Sequence, residues 1–255
     1  MTFKREMECA ARQKDSNIIL ALDPTANSRA TLLSKSMKLL EKIQPYICAV
    51  KLNHHLILPL GLFDGVQKIL KLADKHELPT IMDCKINDIG NTNRVIAENY
   101  YKSGFDAVIA NPFVGWDEGL QPVFEVAKKK ERGVILLCYM SHKAAWEGYG
   151  QIIQETKTKK PVPQYIAFAK KALAWNADGV IVGATYPDKI REIHQILTDK
   201  VPIYSPGVGI QGGDVQSAIE AGTSYLIVGR TIIKAPNPAA AARQIREEAK
   251  MRKKP

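Results

Sequence analysis

The sequence predicts an α/β protein, a (β/α)8 TIM barrel with a short N-terminal helix, on two observations. Eight short apolar runs alternate with segments of helical spacing, and uniform β–α alternation implies parallel pairing. Eight such units fill a chain of 255 residues, the size of a closed barrel, and no linker or low-complexity stretch divides it. Residues 1–255 are therefore read as one domain. An open doubly wound sheet shares the alternation and stays as the alternative, because strand count does not show closure.

Each element has its own signal. Residues 3–14 read as the leading helix. Asn17-Ile-Ile-Leu-Ala-Leu22 is a continuous apolar run ending at Asp23, the pattern of a buried strand. Residues 29–44 carry Leu32, Leu33, Met37, Leu40 and Ile43 at helical spacing. The second strand, 47–50, runs into Lys51, Leu52 and Asn53, and a helix follows near 63–76. The third strand is 79–83, followed by a helix at 91–103. The fourth is 106–110, with a helix at 117–129, and the fifth is 133–138. Residues 141–163 form a long polar connection. A helix at 164–175 leads to the sixth strand, 179–182, and a helix at 187–197 to the seventh, 201–204. A helix at 213–221, the eighth strand at 224–228 and a closing helix at 238–251 complete the chain. The tail, 250–255, reads as a solvated basic end.

Composition narrows the class. A net charge of +10 fits nucleic acid, a membrane surface or an anionic substrate. Cys9, Cys48, Cys84 and Cys138 have no metal or redox spacing and read as reduced thiols of a cytoplasmic protein. No apolar run approaches membrane-spanning length, and residues 1–16 are charged throughout, without an apolar signal core.

The chemistry concentrates in Thr80-Ile-Met-Asp-Cys-Lys-Ile-Asn-Asp-Ile-Gly-Asn-Thr92. Asp83 and Lys85 are two apart, so on a regular strand they face the same way, and Asp88 lies in the turn beyond. Opposite neighbours hold such groups ionised at a buried strand end, and two carboxylates raise the pKa of the lysine, as a proton donor requires. A structural ion pair explains one Asp and one Lys more simply than it explains three charges. Other polar residues also fall at strand ends: Asp23, Lys51, Asn111, Ser141 and Thr185. Lys51 extends the row to Lys–Asp–Lys–Asp. Ser205-Pro-Gly-Val-Gly-Ile-Gln-Gly-Gly-Asp214 joins the seventh strand to a helix. Its glycines let N–H groups turn onto an anion, and the helix N-terminus adds positive potential. Arg230 closes the eighth strand and can fork two donors onto phosphate oxygens. Together they point to a phosphorylated ligand. His54 and His55, adjacent on an extended segment, face opposite ways and read as surface or packing residues. Trp116, Trp146 and Trp175 read as packing residues. The lysine-rich pieces 128–132 and 157–160 lack interleaved aromatics and read as solvated faces.

These motifs resemble the orotidine 5′-phosphate decarboxylase family over nearly the whole chain. The carriers are Asp83-x-Lys85-x-x-Asp88-Ile89-x-x-Thr92, Asp23, Lys51, Val182-Gly-Ala-Thr185, Pro206-Gly-Val-Gly-Ile-Gln-Gly-Gly213 and Gly229-Arg230. The departure is the long connection at 141–163. The resemblance implies a cofactor-free and metal-free decarboxylase of orotidine 5′-monophosphate in pyrimidine biosynthesis. Lys85 would protonate C6 of the pyrimidine. Asp83 would face the substrate carboxylate and hold both lysines. Asp23 and Lys51 would bind ribose. Ser141 would bond the pyrimidine, and Gln211 would bridge it to the phosphate. Gly209, in the loop that opens at Pro206, would hold the phosphate together with Gly229 and Arg230 at the end of the eighth strand. Asp88 and Thr92 would reach across a homodimer interface into the partner's site. One rival is a metal-dependent sugar-phosphate decarboxylase or aldolase of the same suprafamily, which would want a Glu where Lys51 stands. The other is a non-catalytic basic module that binds nucleic acid, a class with no expected place here, as with membranes.

Overall fold

The computed structural model describes residues 1–155 and 158–250. Eight parallel strands close into a barrel: β1 (Ile18–Ala21), β2 (Ala49–Asn53), β3 (Thr80–Ile86), β4 (Ala107–Ala110), β5 (Gly133–Tyr139), β8 (Gly179–Val182), β9 (Ile203–Pro206) and β10 (Tyr225–Val228). Closure comes from β1 pairing with β10, Ile18 opposite Leu226. That excludes the open sheet. β1, β4, β5, β8 and β10 are fully buried apolar runs because helices cover their outer faces and side chains fill the interior.

The inner core comprises Ile19, Ile81, Ile109, Ile135, Ile181 and Ile227, among others. Helix α1 (Phe3–Gln13) seals its N-terminal end. Phe3 and Met7 are buried there, and a Cβ on Gly133 would stand 2.4 Å from the Phe3 ring. The outer core packs α2 (Arg29–Ile43), α4 (Val66–Lys75), α5 (Gly90–Ser103), α6 (Gln121–Lys129), α8 (Gln164–Ala174), α9 (Pro187–Leu197), α10 (Val215–Glu220) and α12 (Pro238–Lys250) on the strands. In α4 the buried residues Val66, Ile69, Leu70 and Ala73 follow the helical repeat that predicts the element.

Three expectations change. The single helix near 63–76 is a helix α3 (His54–Leu60), a wide turn Gly61–Gly65 and then α4. Asn53 starts α3 by accepting the His55 N–H at 2.7 Å. His54 and His55 are thus on a helix rather than an extended segment, and both are exposed, as the surface reading expects. The long connection at 141–163 holds α7 (Ala145–Tyr149) and a small antiparallel pair, β6 (Ile152–Gln154) and β7 (Pro161–Pro163). Trp116 and Trp175 pack together at 5.1 Å with Phe124 alongside, whereas Trp146 is exposed rather than packed. Most of the tail 250–255, and part of the 157–160 piece, lie outside the described residues. No helix among the described residues is long and apolar enough to cross a membrane. A short α11 (Arg230–Ile233) follows β10.

Candidate active site

The site begins with a break in the β3–β4 ladder. Met82 pairs with Val108 and Ile86 with Ala110, so four steps along β3 match two along β4. The surplus bulges β3 over 83–85, and Lys85 takes up the slack with φ of +50°. A lysine in the left-handed region costs about 1–3 kcal/mol, a strain found mainly where surrounding structure enforces it. Asp83 and Lys85 do meet at the barrel mouth, but through this bulge and not through the regular alternation the sequence implies.

Lys85 Nζ lies 2.6 Å from Asp83 Oδ1, and Lys51 Nζ lies 2.6 Å from Asp83 Oδ2. Lys51 stands opposite Ile81 on β3, one level below, and its chain rises inside the barrel to reach Asp83. The side chains of Lys51 and Asp83 are 7% and 14% exposed, while that of Lys85 is 38% exposed and opens to the mouth. Burial by itself would push the Asp83 carboxyl up. The charges of Lys51 and Lys85, with their hydrogen bonds, outweigh it and hold the carboxyl at about 2.

Two connected hollows sit over this row. A smaller one, about 120 Å³, has Lys51, Asp83 and Lys85 on one side and Ile109, Leu137, Ile181 and Ile227 as an apolar floor. The other, about 200 Å³, is lined by Asp23, Asn53, Ser141, Gln211, Gly229 and Arg230, among others. Lys51, Asp83, Ser141, Pro206 and Ile227 line both.

Asp23 Oδ1 accepts from Asn53 Nδ2 at 2.8 Å. Ser141 Oγ donates to Gln211 Oε1 at 3.1 Å, joining the loop after β5 to the glycine-rich loop after β9. Gly207 makes that crossing possible, because at φ of +98° a Cβ there would stand 2.9 Å from both partners' atoms. Thr185 fixes Ser141 from below, its hydroxyl donating to the Ser141 carbonyl at 3.1 Å.

The glycine-rich loop is organised differently from the sequence expectation. The Gly209 N–H donates to the Gly213 carbonyl at 2.8 Å, so Gly209 shapes the loop with its own amide already engaged. Its φ is +77°, and a Cβ would stand 2.4 Å from Thr231 Oγ1. Thr231 clamps the loop: its hydroxyl donates to Val208 O at 3.1 Å and accepts from Ile210 N at 3.2 Å. The N-terminus of α10 is not open to an anion. Asp214 closes it, accepting from Ser217 N at 2.8 Å. The positive groups facing the cavity come instead from Arg230, at the start of α11, and the lysine row.

Ten of the twelve expected residues thus converge at the mouth, Gly209 by its loop. Asp88 and Thr92 do not line either hollow. Asp88 is exposed and forms no ion pair among the described residues. Sequence reasoning missed Asn53, Asn93 and Thr231, which act on backbone or on another site residue. Asp214, as a helix cap, was legible from Asp214-x-x-Ser217. Among the described residues no three His, Cys, Asp or Glu side chains gather as metal ligands would.

Comparisons with known proteins identify the family. Residues 16–245 match the model of the "Orotidine 5'-phosphate decarboxylase / HUMPS family". An orotidine 5'-phosphate decarboxylase of Methanosarcina acetivorans is 39% identical over 92% of this chain and 96% of its own length. That of Methanosarcina mazei is 37% identical over the same shares, 92% and 96%. The crystal structure of orotidine 5'-phosphate decarboxylase from Pyrococcus horikoshii superposes with a TM-score of 0.74 at 34% identity, covering 91% of this chain and 98% of that one.

Proposed function

The chain belongs to the orotidine 5′-phosphate decarboxylase / HUMPS family, and from that premise we propose that it is a cytoplasmic carboxy-lyase converting orotidine 5′-monophosphate to uridine 5′-monophosphate without metal or organic cofactor. The reaction belongs to pyrimidine biosynthesis. The observation that carries the reading is one buried carboxylate, Asp83, gripped by two lysines above an apolar floor. Within the family this favours decarboxylation over metal-assisted sugar-phosphate chemistry, because the side chain beside Asp83 is the ammonium of Lys51 and not a carboxylate.

The chemistry follows from that arrangement. Asp83 stays ionised, so a substrate carboxylate bound against it is repelled. The repulsion is relieved as the C6–carboxylate bond breaks and neutral carbon dioxide leaves. The electron pair remains on C6, where the Lys85 ammonium stabilises it and then delivers its proton. Solvent at the open mouth restores the ammonium. Lys51 holds Asp83 from below and, with Asp23, meets the ribose. Ser141 and Gln211 contact the pyrimidine, with Gln211 extending to the phosphate. Gly229 and Arg230, after β10, hold the phosphate against the loop that Pro206 and Gly209 shape.

Asp88 and Thr92 act in the site of a second subunit. That neither residue lines the hollows at the mouth of its own barrel supports this. So do Ile89 and Phe113, apolar side chains 69% and 71% exposed at the ends of adjacent strands, which a partner would cover.

The test is the fall in orotidylate ultraviolet absorbance on adding purified protein, with and without chelator. Equal loss in both is expected. No loss would overturn the activity, and chelator-sensitive loss would favour the metal-dependent relatives.

A further inference from the structure

Asn93 is fully buried in the first turn of α5, and its amide is engaged entirely with backbone. Oδ1 accepts the Asp88 N–H at 3.0 Å. Nδ2 donates to the Asp88 carbonyl at 2.5 Å and to the Gly119 carbonyl at 2.9 Å. One side chain therefore holds both main-chain polar groups of Asp88 and ties them to the turn ahead of α6. Gly90 closes the same joint, since a Cβ there would stand 2.9 Å from the Glu118 carbonyl.

Helix capping does not explain this. The N-cap of α5 is Ile89, and no side chain caps it. Asn93 reaches past the N-cap to the residue before it. A buried amide satisfied only by backbone is costly to lose and holds its partners rigidly. The residue held is an exposed carboxylate with one oxygen on the Ile89 N–H at 2.7 Å and no ion pair among the described residues. Fixing that backbone from inside leaves the carboxylate facing outward at a set position.

We infer that Asn93 is a positioning residue that fixes Asp88 for its contact with substrate in the partner's site. This deepens the shared-site reading and rests on it. Asn93 touches no substrate, and its effect passes through Asp88.

The test combines a double-mutant cycle with subunit mixing. Asn93→Ala should lower kcat/KM by about 10²-fold, the scale of a roughly 1 Å misplacement. Asn93→Asp, equal in size and keeping the acceptor for the Asp88 N–H, is run in parallel in case the alanine variant folds poorly. Melting temperatures are recorded for both. With Asp88 already replaced by alanine, changing Asn93 should cost little more. Multiplicative losses would overturn the inference, because a merely structural role adds to any other lesion.

For mixing, Lys85→Ala and Asp88→Ala subunits are unfolded and refolded together. They should regain ~25% of wild-type activity, since half of randomly paired dimers are mixed and each mixed dimer has one intact site. Asn93→Ala should be rescued by Lys85→Ala in the same way and not by Asp88→Ala. The reverse pattern would mean that Asn93 serves its own subunit's site, overturning the inference. If Lys85→Ala and Asp88→Ala fail to rescue each other, the shared site falls, while the double-mutant cycle still decides whether Asn93 acts through Asp88.

Discussion

The two ends of the barrel each bury an aspartate, and they treat it in opposite ways. At the C-terminal end Asp83 meets two ammonium groups, and its carboxyl is held down at about 2. At the N-terminal end Asp106 precedes β4, accepts the Thr80 N–H and hydroxyl at 2.8 Å each, and pairs with Arg132. There burial wins, and the carboxyl is pushed above its ordinary value. Comparable burial with one cation instead of two reverses the outcome. The hollows are misleading by size: the one beside Asp106 has about 660 Å³, against about 200 Å³ at the mouth. The larger void is walled by ordinary helix and strand ends, with Glu6 and Asp74 near Asp106 raising the cost of charge there. What sets the C-terminal mouth apart is converging charge on a strained backbone.

The comparison breaks most readily at Lys85. Lys85→Ala should lower kcat by at least about 10²–10⁴-fold while product binding, read by calorimetry, persists. Near-normal turnover would make the mouth no more catalytic than the base. Next come the two aspartates themselves. Asp83→Ala strands the Lys51 ammonium in a buried site and should cost ~3–5 kcal/mol in urea unfolding, together with activity. Asp106→Ala leaves Thr80 unpaired and should cost ~1–3 kcal/mol with turnover intact. Loss of activity in both would dissolve the distinction. Arg230→Ala should weaken orotidylate by about 1.5–3 kcal/mol and leave orotidine, which lacks the phosphate, nearly unaffected in competition assays.

The smallest effect is in acid. Asp83 has a folded pKa of about 2 against an ordinary 3.8, so its contribution is complete above the unfolded value and is lost as pH falls from about 4 through 2. That contribution is about 2 kcal/mol. Asp106, raised on folding, acts with the opposite sign: its ionisation costs stability, and protonation as pH falls restores it. Urea titrations should therefore lose stability less steeply between pH 4 and 2 in Asp83→Asn than in the parent, whereas Asp106→Asn should lack the recovery that the parent gains as pH falls towards about 4. Parallel profiles would remove the contrast.

The strands were legible because each is an apolar run that must be buried on both faces, and β8 falls at the expected residues. The charged site residues were legible because each stands where an apolar run stops. The bulge at 83–85 was not, since an alternation rule presumes a regular pleat. Nor was α3, which Asn53 caps but which carries Pro59 inside and only seven residues, too few for a periodic signal. Asn93 and Thr231 escaped because their partners are main-chain atoms brought near by folding. No spacing announces such a partner. The glycine-rich loop invited an anion at the α10 N-terminus, and one capping carboxylate, Asp214, closes it.

The seat of α1 has a consequence for the order in which the molecule is made. Phe3 and Met7 pack against a floor that includes Ile181, Tyr204 and Ile227, and Lys4 Nζ reaches the Lys200 carbonyl at 3.0 Å. The helix that precedes the barrel thus belongs on a surface contributed partly by the barrel's last strand, and β1 waits for that same strand to complete its ladder. Until β10 emerges, those side chains have no complete seat, and a nascent chain stopped short of residue 225 carries an exposed apolar plug for chaperones to shield.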